Sequence, residues 1–158
     1  MSDTDVRIMR RALELADKAA ELGEVPIGAV VTLDGEIVSE AYNRREVDKN
    51  ALAHAECLAI DAACKKLGGW RLHKCELYVT LEPCPMCAGA IINSRIKRVV
   101  VGAKDAKAGA FGSLVNLNFY PFNHHPEVVF GVLEKESAER LQAFFLRLRE
   151  MRKQPKAD

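Results

Sequence analysis

No apolar run in this chain approaches the roughly 20 residues that a helical membrane span requires, and no apolar targeting segment opens it. Neither sign of charge is in excess. Twenty-three Lys and Arg face 22 Asp and Glu, for a net charge of +1. The totals do not by themselves suggest a nucleic-acid partner, and any such contact must come from local patches. Five cysteines occur without the paired spacing of a disulfide framework. That usage fits a reducing compartment, so a cytoplasmic location is expected. Internal repeats and low-complexity segments are absent. What remains is ordinary for a globular protein, with 49% hydrophobic and 28% charged residues. One domain over residues 1–158 is expected, with a sizeable core and a disordered last few residues.

The chemistry is concentrated in two short stretches, Ala53-His54-Ala55-Glu56 and Glu82-Pro83-Cys84-Pro85-Met86-Cys87. The spacing of Cys84 and Cys87 puts both sulfurs on one face at the start of a helix. Pro83 and Pro85 suit such a start, where the first N–H groups have no intrahelical partner to lose. The free donors and the positive helix pole favour thiolate, the metal-binding form. His54 and Glu56 do not share a helical face, but they converge if both lie in a first turn. His54, Cys84 and Cys87 then make a three-ligand zinc set with an open fourth position for water. Glu56 is left to move that water's protons. A redox Cys-x-x-Cys would need no His-x-Glu upstream, and a four-thiolate structural site would need a second pair that Cys57, Cys64 and Cys75 do not offer. The combined pattern is that of zinc nucleobase deaminases.

The rest of the chain reads as alternating helices and strands. Asp3 or Thr4 caps a first helix running to about Leu22, with an apolar stripe of Val6, Met9, Leu13, Ala16 and Ala20. Asp34-Gly35 separates two β-rich runs, Val25 to Leu33 and Glu36 to Tyr42, as a hairpin does. The His54 helix carries Leu52, Leu58, Ala59, Ala62 and Ala63 and ends at Gly68-Gly69. Leu77 to Leu81 is a buried strand, the Cys84 helix runs to about Asn93, and Ile96 to Val101 is a fourth strand parallel to the third. Gly102 to Ser113 reads as a loop at the carboxyl end of that strand, where ligand contacts gather. Glu127 to Val132 is a fifth strand. Glu134 or Ser137 opens a last helix with Leu141, Phe144, Phe145, Leu148 and Met151 on its apolar face. Its end is basic, with Arg147, Arg149, Arg152, Lys153 and Lys156. His124 and His125, adjacent in a Pro-bounded loop, read as surface residues rather than a second metal site.

These residues, taken together, resemble the bacterial tRNA-specific adenosine deaminases of the cytidine-deaminase-like superfamily. The resemblance runs from the first helix to the last. It includes Gly-Glu-Val-Pro-Ile-Gly-Ala-Val (23 to 30), Ala-Tyr-Asn-Arg (41 to 44), Ala-His-Ala-Glu (53 to 56) and Leu-Tyr-Val-Thr-Leu-Glu-Pro-Cys (77 to 84). Gly-Ala-Lys-Asp-Ala-Lys (102 to 107), Phe-Asn-His (122 to 124) and Phe-Phe-Leu-Arg-Leu-Arg (144 to 149) point to the tRNA branch. The resemblance implies a three-layer α/β/α fold with a five-stranded mixed sheet, one zinc per subunit and a homodimer. It implies hydrolytic deamination of adenosine to inosine at the wobble position of a tRNA anticodon stem-loop. His54, Cys84 and Cys87 match the zinc ligands, and Glu56 the catalytic proton carrier. Asn43 matches the purine-edge residue and Ile27 the apolar wall. Arg44, Arg71, Lys107, Asn123, His124, Phe145 and Arg149 match positions near the anticodon loop, and Asp105 lies in the selectivity loop.

Pro85 and His125-Pro126 depart from the family pattern, and Pro-Cys-Pro-Met-Cys also occurs in deaminases of free bases and nucleotides. Such a deaminase, of the guanine, cytosine or dCMP type, is the alternative reading with the same zinc chemistry. A structural zinc domain that binds RNA is a third, and it would have no use for Glu56. The basic last helix carries the distinction between RNA contact and a merely solvated face. Replacing Arg149 and Arg152 with Ala is expected to weaken binding to an anticodon stem-loop and to flatten its salt dependence, because fewer phosphate contacts release fewer counterions. Affinities measured across a salt series check this.

Overall fold

The structure, a computed structural model, describes residues 1–154. The expected disorder of the last few residues and the basic Lys156 lie outside the described residues. Helix α1 (Asp3–Glu21) is followed by strands β1 (Gly28–Leu33) and β2 (Glu36–Tyr42). Then come α2 (Ala55–Leu67), β3 (Cys75–Leu81), α3 (Pro85–Asn93) and β4 (Arg98–Ala103). A 3-10 turn (Leu117–Phe119), β5 (Glu127–Val129) and α4 (Glu134–Lys153) complete the described chain. The five strands form one sheet in the order β2-β1-β3-β4-β5. β1 runs antiparallel to β2 and β3, whereas β3, β4 and β5 are parallel. This is the mixed five-stranded sheet expected from the sequence.

Side chains alternate along a strand, so one sheet feeds two cores. Val30, Tyr78 and Val100 lie in register across β1, β3 and β4 and pack against Ile8, Met9, Ala12 and Leu15 of α1. Their neighbours Val31, Leu77 and Val99 face the opposite way, towards Ala59 and Ala63 of α2 and Ile91 of α3. The result is three layers, with α1 and α4 on one face and α2 and α3 on the other. Gly28 lets α1 lie on the sheet, because a Cβ there would overlap the Ala12 carbonyl.

Several boundaries differ from the sequence expectations for local reasons. Ser2, not Asp3 or Thr4, caps α1, its hydroxyl accepting from the Asp5 amide at 3.0 Å. β1 begins at Gly28, after Pro26, which has no N–H to give a ladder. β4 starts two residues later than Ile96 and runs on to Ala103, into the segment expected to be loop. β5 ends at Val129 rather than Val132, ahead of Gly131 at φ +91°. The buried face of α2 is Ala55, Glu56, Ala59, Ile60 and Ala63, while Leu52 and Ala62 are exposed. α4 begins at Glu134 and buries only Ser137 and Phe144; Phe145 and Met151 of its expected stripe are exposed.

The α1 face is pinned by one buried charge. Asp5 is 3% exposed, and the Arg98 guanidinium grips both its oxygens at 2.7 and 3.0 Å while the Tyr78 hydroxyl donates at 2.8 Å. Arg98 is the main reason that the Asp5 carboxyl falls from its ordinary 3.8 to about 2. A carboxyl held low in the folded state stabilises above its unfolded value and loses that contribution as pH falls through its folded value. Asp5→Asn is therefore expected to cost about 2 kcal/mol at pH 7. The gap between variant and wild type should narrow as pH drops from about 4 towards about 2 in denaturant titrations.

Candidate active site

Two helix N-termini meet on the α2 and α3 side of the sheet. His54 is the N-cap of α2 and keeps extended backbone, at φ −75° and ψ 150°. Its carbonyl accepts from Leu58 at 3.0 Å and so starts the helix, which places Glu56 in the first turn. Cys84 is the N-cap of α3, Pro85 its first residue and Cys87 a member of its first turn. The His54 Nδ1 atom lies 3.6 Å from Cys84 Sγ and 3.5 Å from Cys87 Sγ. Among the described residues this trio is the one group of metal-ligating side chains whose donor atoms gather, all within 4.8 Å of one another. A tetrahedral zinc with arms of about 2.05 Å to nitrogen and 2.3 Å to sulfur has nitrogen–sulfur edges of about 3.6 Å. The donor set and its spacing thus fit that ion. His124 and His125 join nothing of this kind. Their Nε2 atoms bond the carbonyls of Ile96, at 2.6 Å, and Tyr120, at 2.7 Å.

The electrostatics of this corner are unusual. The Cys87 thiol, aided by His54, holds Cys84 down to about 4, so Cys84 is a thiolate. Cys57, whose sulfur lies 3.7 Å from that of Cys87, drives Cys87 upward together with Cys84. The Cys84 thiolate raises His54. Burial, first of all, pushes the Glu56 carboxyl up to about 7. A carboxyl poised near neutral pH beside a nucleophile site is suited to both taking and giving a proton.

A cavity of about 810 Å³ opens over His54. Ile27, Ala55 and Leu81 line its apolar part and Asn43 its polar part. Asn43 is buried; its amide donates to the Val25 carbonyl at 3.3 Å and accepts from the Arg45 amide at 3.2 Å, leaving one N–H for a ligand. Lys104, Asp105, Ala106 and Lys107 form one wall. Leu141, Phe145, Leu148, Arg149 and Arg152 of α4 form another. The side chains that leave α4 without a core are thus those that face the cavity.

Of the residues expected at a substrate, Ile27, Asn43, Asp105, Lys107, Phe145 and Arg149 border this cavity. Arg44, Arg71, Asn123 and His124 do not. Arg44 grips Asp48 at 3.0–3.2 Å and lies over the Tyr42 ring. Arg71 stacks on Trp70 at 4.4 Å, and Asn123 is exposed on a separate loop. Sequence reasoning missed Arg45 and Lys104, which line the cavity beside the positions it named. It also missed two buried carboxylates behind the walls. Glu24, 1% exposed, accepts from the amides of Glu46 and Val47 at 3.0–3.1 Å. Glu82, 2% exposed, accepts from Asp105, Phe111 and Ser113. Burial against backbone amides, joined for Glu82 by the Ser113 hydroxyl, leaves no pattern of opposite charge in the sequence to reveal them.

Comparison with known proteins agrees with this geometry. Residues 3–149 match the family model of the MafB19-like deaminases. The tRNA-specific adenosine deaminase of Bacillus subtilis is 55% identical over 97% of this chain and 94% of its own length. That of Haemophilus influenzae is 49% identical over 99% of this chain and 91% of its own length. A solved structure from a study of A-to-I editing by tRNA:A34 deaminases at the wobble position of transfer RNA superposes with a TM-score of 0.82. It shares 48% identity, over 84% of this chain and 97% of the other.

The ligand geometry can be tested without any substrate. Cobalt(II) is expected to bind wild-type protein with the absorption of a thiolate-ligated tetrahedral ion. Cys84→Ser and Cys87→Ser should each cut that absorption to about half or less and weaken binding by about 100-fold or more, and the double variant should remove the absorption. Cys64→Ser, at a thiol outside the cluster, should leave both unchanged in the same titration.

Proposed function

The chain belongs to the family of the bacterial tRNA-specific adenosine deaminases, and we propose that it hydrolyses adenosine to inosine and ammonia at the wobble position of a tRNA anticodon. One observation carries this reading. His54, whose ring gathers with Cys84 and Cys87 and which lies two residues before the buried Glu56, lines a cavity that is also bordered by Arg45, Lys104, Lys107, Arg149 and Arg152. Those cations form a local basic patch in a chain of net charge +1.

His54 Nδ1 and the two thiolates are the groups that would hold zinc, and the ion would supply an activated water for attack on C6 of the purine. The protein's own part is to bind, orient and move protons. Ile27 and Leu81 flank the base with apolar surface, and Asn43 offers a fixed N–H to its edge. Glu56 takes a proton as the C–O bond forms and returns protons to the ring nitrogen and the departing amine. Atoms balance as adenosine plus water to inosine plus ammonia. The exposed Phe145 ring offers a stacking face for a neighbouring base, as unstacked loops require. A target base leaves its stack most easily where the strand is already single, which favours an anticodon loop over a duplex.

Two further parts of the reading concern assembly and place. A homodimer is the assembly the resemblance implies, and the exposed Phe119, Tyr120 and Phe122 offer apolar side chains that a second copy would cover. A cytoplasmic location agrees with the tRNA substrate, and no described helix is long and apolar enough to cross a membrane. Glu56→Ala is expected to retain one zinc per chain, by elemental analysis, while inosine formation in an anticodon stem-loop falls by roughly 10²–10⁴-fold. Loss of zinc and fold together in that variant would instead point to a structural metal site.

A further inference from the structure

Glu82 is a buried charged side chain that the chemistry above does not use. It sits at the end of β3, two residues before Cys84, and is 2% exposed. Among the described residues no cation pairs with it, and its carboxylate partners come from the segment that follows β4. Its Oε1 accepts from the Asp105 amide at 3.2 Å and from the Ser113 hydroxyl. Its Oε2 accepts from the amides of Phe111 at 3.1 Å and Ser113 at 3.2 Å. The backbone joins in, with Glu82 N donating to Ala103 O at 2.8 Å and Ala110 N donating to Pro83 O at 2.9 Å. Gly109 passes so close that a Cβ there would overlap the Glu82 carboxylate.

This segment is the cavity wall. Lys104, Asp105, Ala106 and Lys107 line the cavity, and Asp105 closes its own turn by accepting from the Lys107 and Ala108 amides. A loop with two glycines, Gly109 and Gly112, would otherwise sample many conformations. A buried acceptor satisfied only by that loop's donors cannot release them without leaving its own charge unpaired. We propose that Glu82 is a positioning residue that holds the 104–113 loop against the metal-binding turn, so that Asp105 and Lys107 meet the substrate in one fixed place. The effect on substrate rests on the proposed RNA reading, whereas the effect on the loop does not.

Glu82→Gln keeps the shape but replaces one acceptor oxygen with an NH2 group that faces donors. Amide hydrogen exchange on the zinc-loaded chain is expected to speed up about tenfold or more across residues 104–113, with α2 and α3 unchanged and one zinc retained. Its kcat/KM on an anticodon stem-loop should fall by about tenfold, mostly through KM. Ser113→Ala at an exposed position removes one donor only. It should show a smaller change confined to the same loop, and it keeps the test decisive if Glu82→Gln does not fold. Unchanged loop exchange in these variants, or an equal rise throughout the chain, would overturn the proposal. A wild-type protein that makes no inosine would overturn the substrate reading, and the exchange comparison would still decide on Glu82.

Discussion

Two helix starts share one small volume, and that juxtaposition governs everything around it. An imidazole, two thiols and a carboxyl are brought within a few ångströms of one another in a buried corner. Not all of them can carry charge when they are crowded and dry: Cys84 and His54 favour each other's charged forms, whereas Glu56 and Cys87 are pushed towards their neutral ones. A divalent cation held by the nitrogen and both sulfurs would resolve that conflict and would leave the carboxyl free. The sheet makes the crowding possible. β3 delivers Cys84 to the start of α3, and the β2–α2 connection delivers His54 to the start of α2. The two helices then pack on one face of the sheet through Ala59, Ala88 and Ile91.

The cavity walls follow a different rule. Their backbones are tied down from behind by acids. Glu24 anchors the segment that carries Asn43 and Arg45, and Glu82 anchors the one that carries Asp105 and Lys107. Acid and base are thus sorted by depth. The carboxylates are spent on buried amides, and Arg45, Lys104, Lys107, Arg149 and Arg152 point at the space where a polyanion would lie. Net charge cannot report such sorting, which is why a nearly neutral composition is compatible with an RNA-facing site.

What could be read from the sequence was local. Cys84 and Cys87, and His54 and Glu56, each fall within one helical turn, so their spacing alone fixes their relation to a shared helix start. The Asp34-Gly35 hairpin, the β2 bounds and the Gly68 stop of α2 were legible for the same reason. What failed depended on distant partners. Arg44 and Arg45 are neighbours in sequence, yet one pairs with Asp48 while the other lines the cavity. Apolar periodicity marked an α4 stripe as core, although most of it faces the cavity rather than the sheet. Ser2 took the cap of α1 in place of Asp3 or Thr4, and Asp5 in the first turn meets Arg98, 93 residues away. Glu82 stood in the Cys84 stretch, but its anchoring role was not legible because its backbone partners are amides, which every non-proline residue carries.

The substrate is the claim on which the rest converges, and ammonia release tests it most directly. Purified zinc-loaded protein would be given an anticodon stem-loop with a wobble adenosine, and separately free adenosine, adenine, guanine and cytosine. Ammonia from the stem-loop alone, with inosine appearing at the wobble position, is the expected result. Turnover of a free base with none of the stem-loop would leave the metal centre standing and contradict the role assigned to the basic walls.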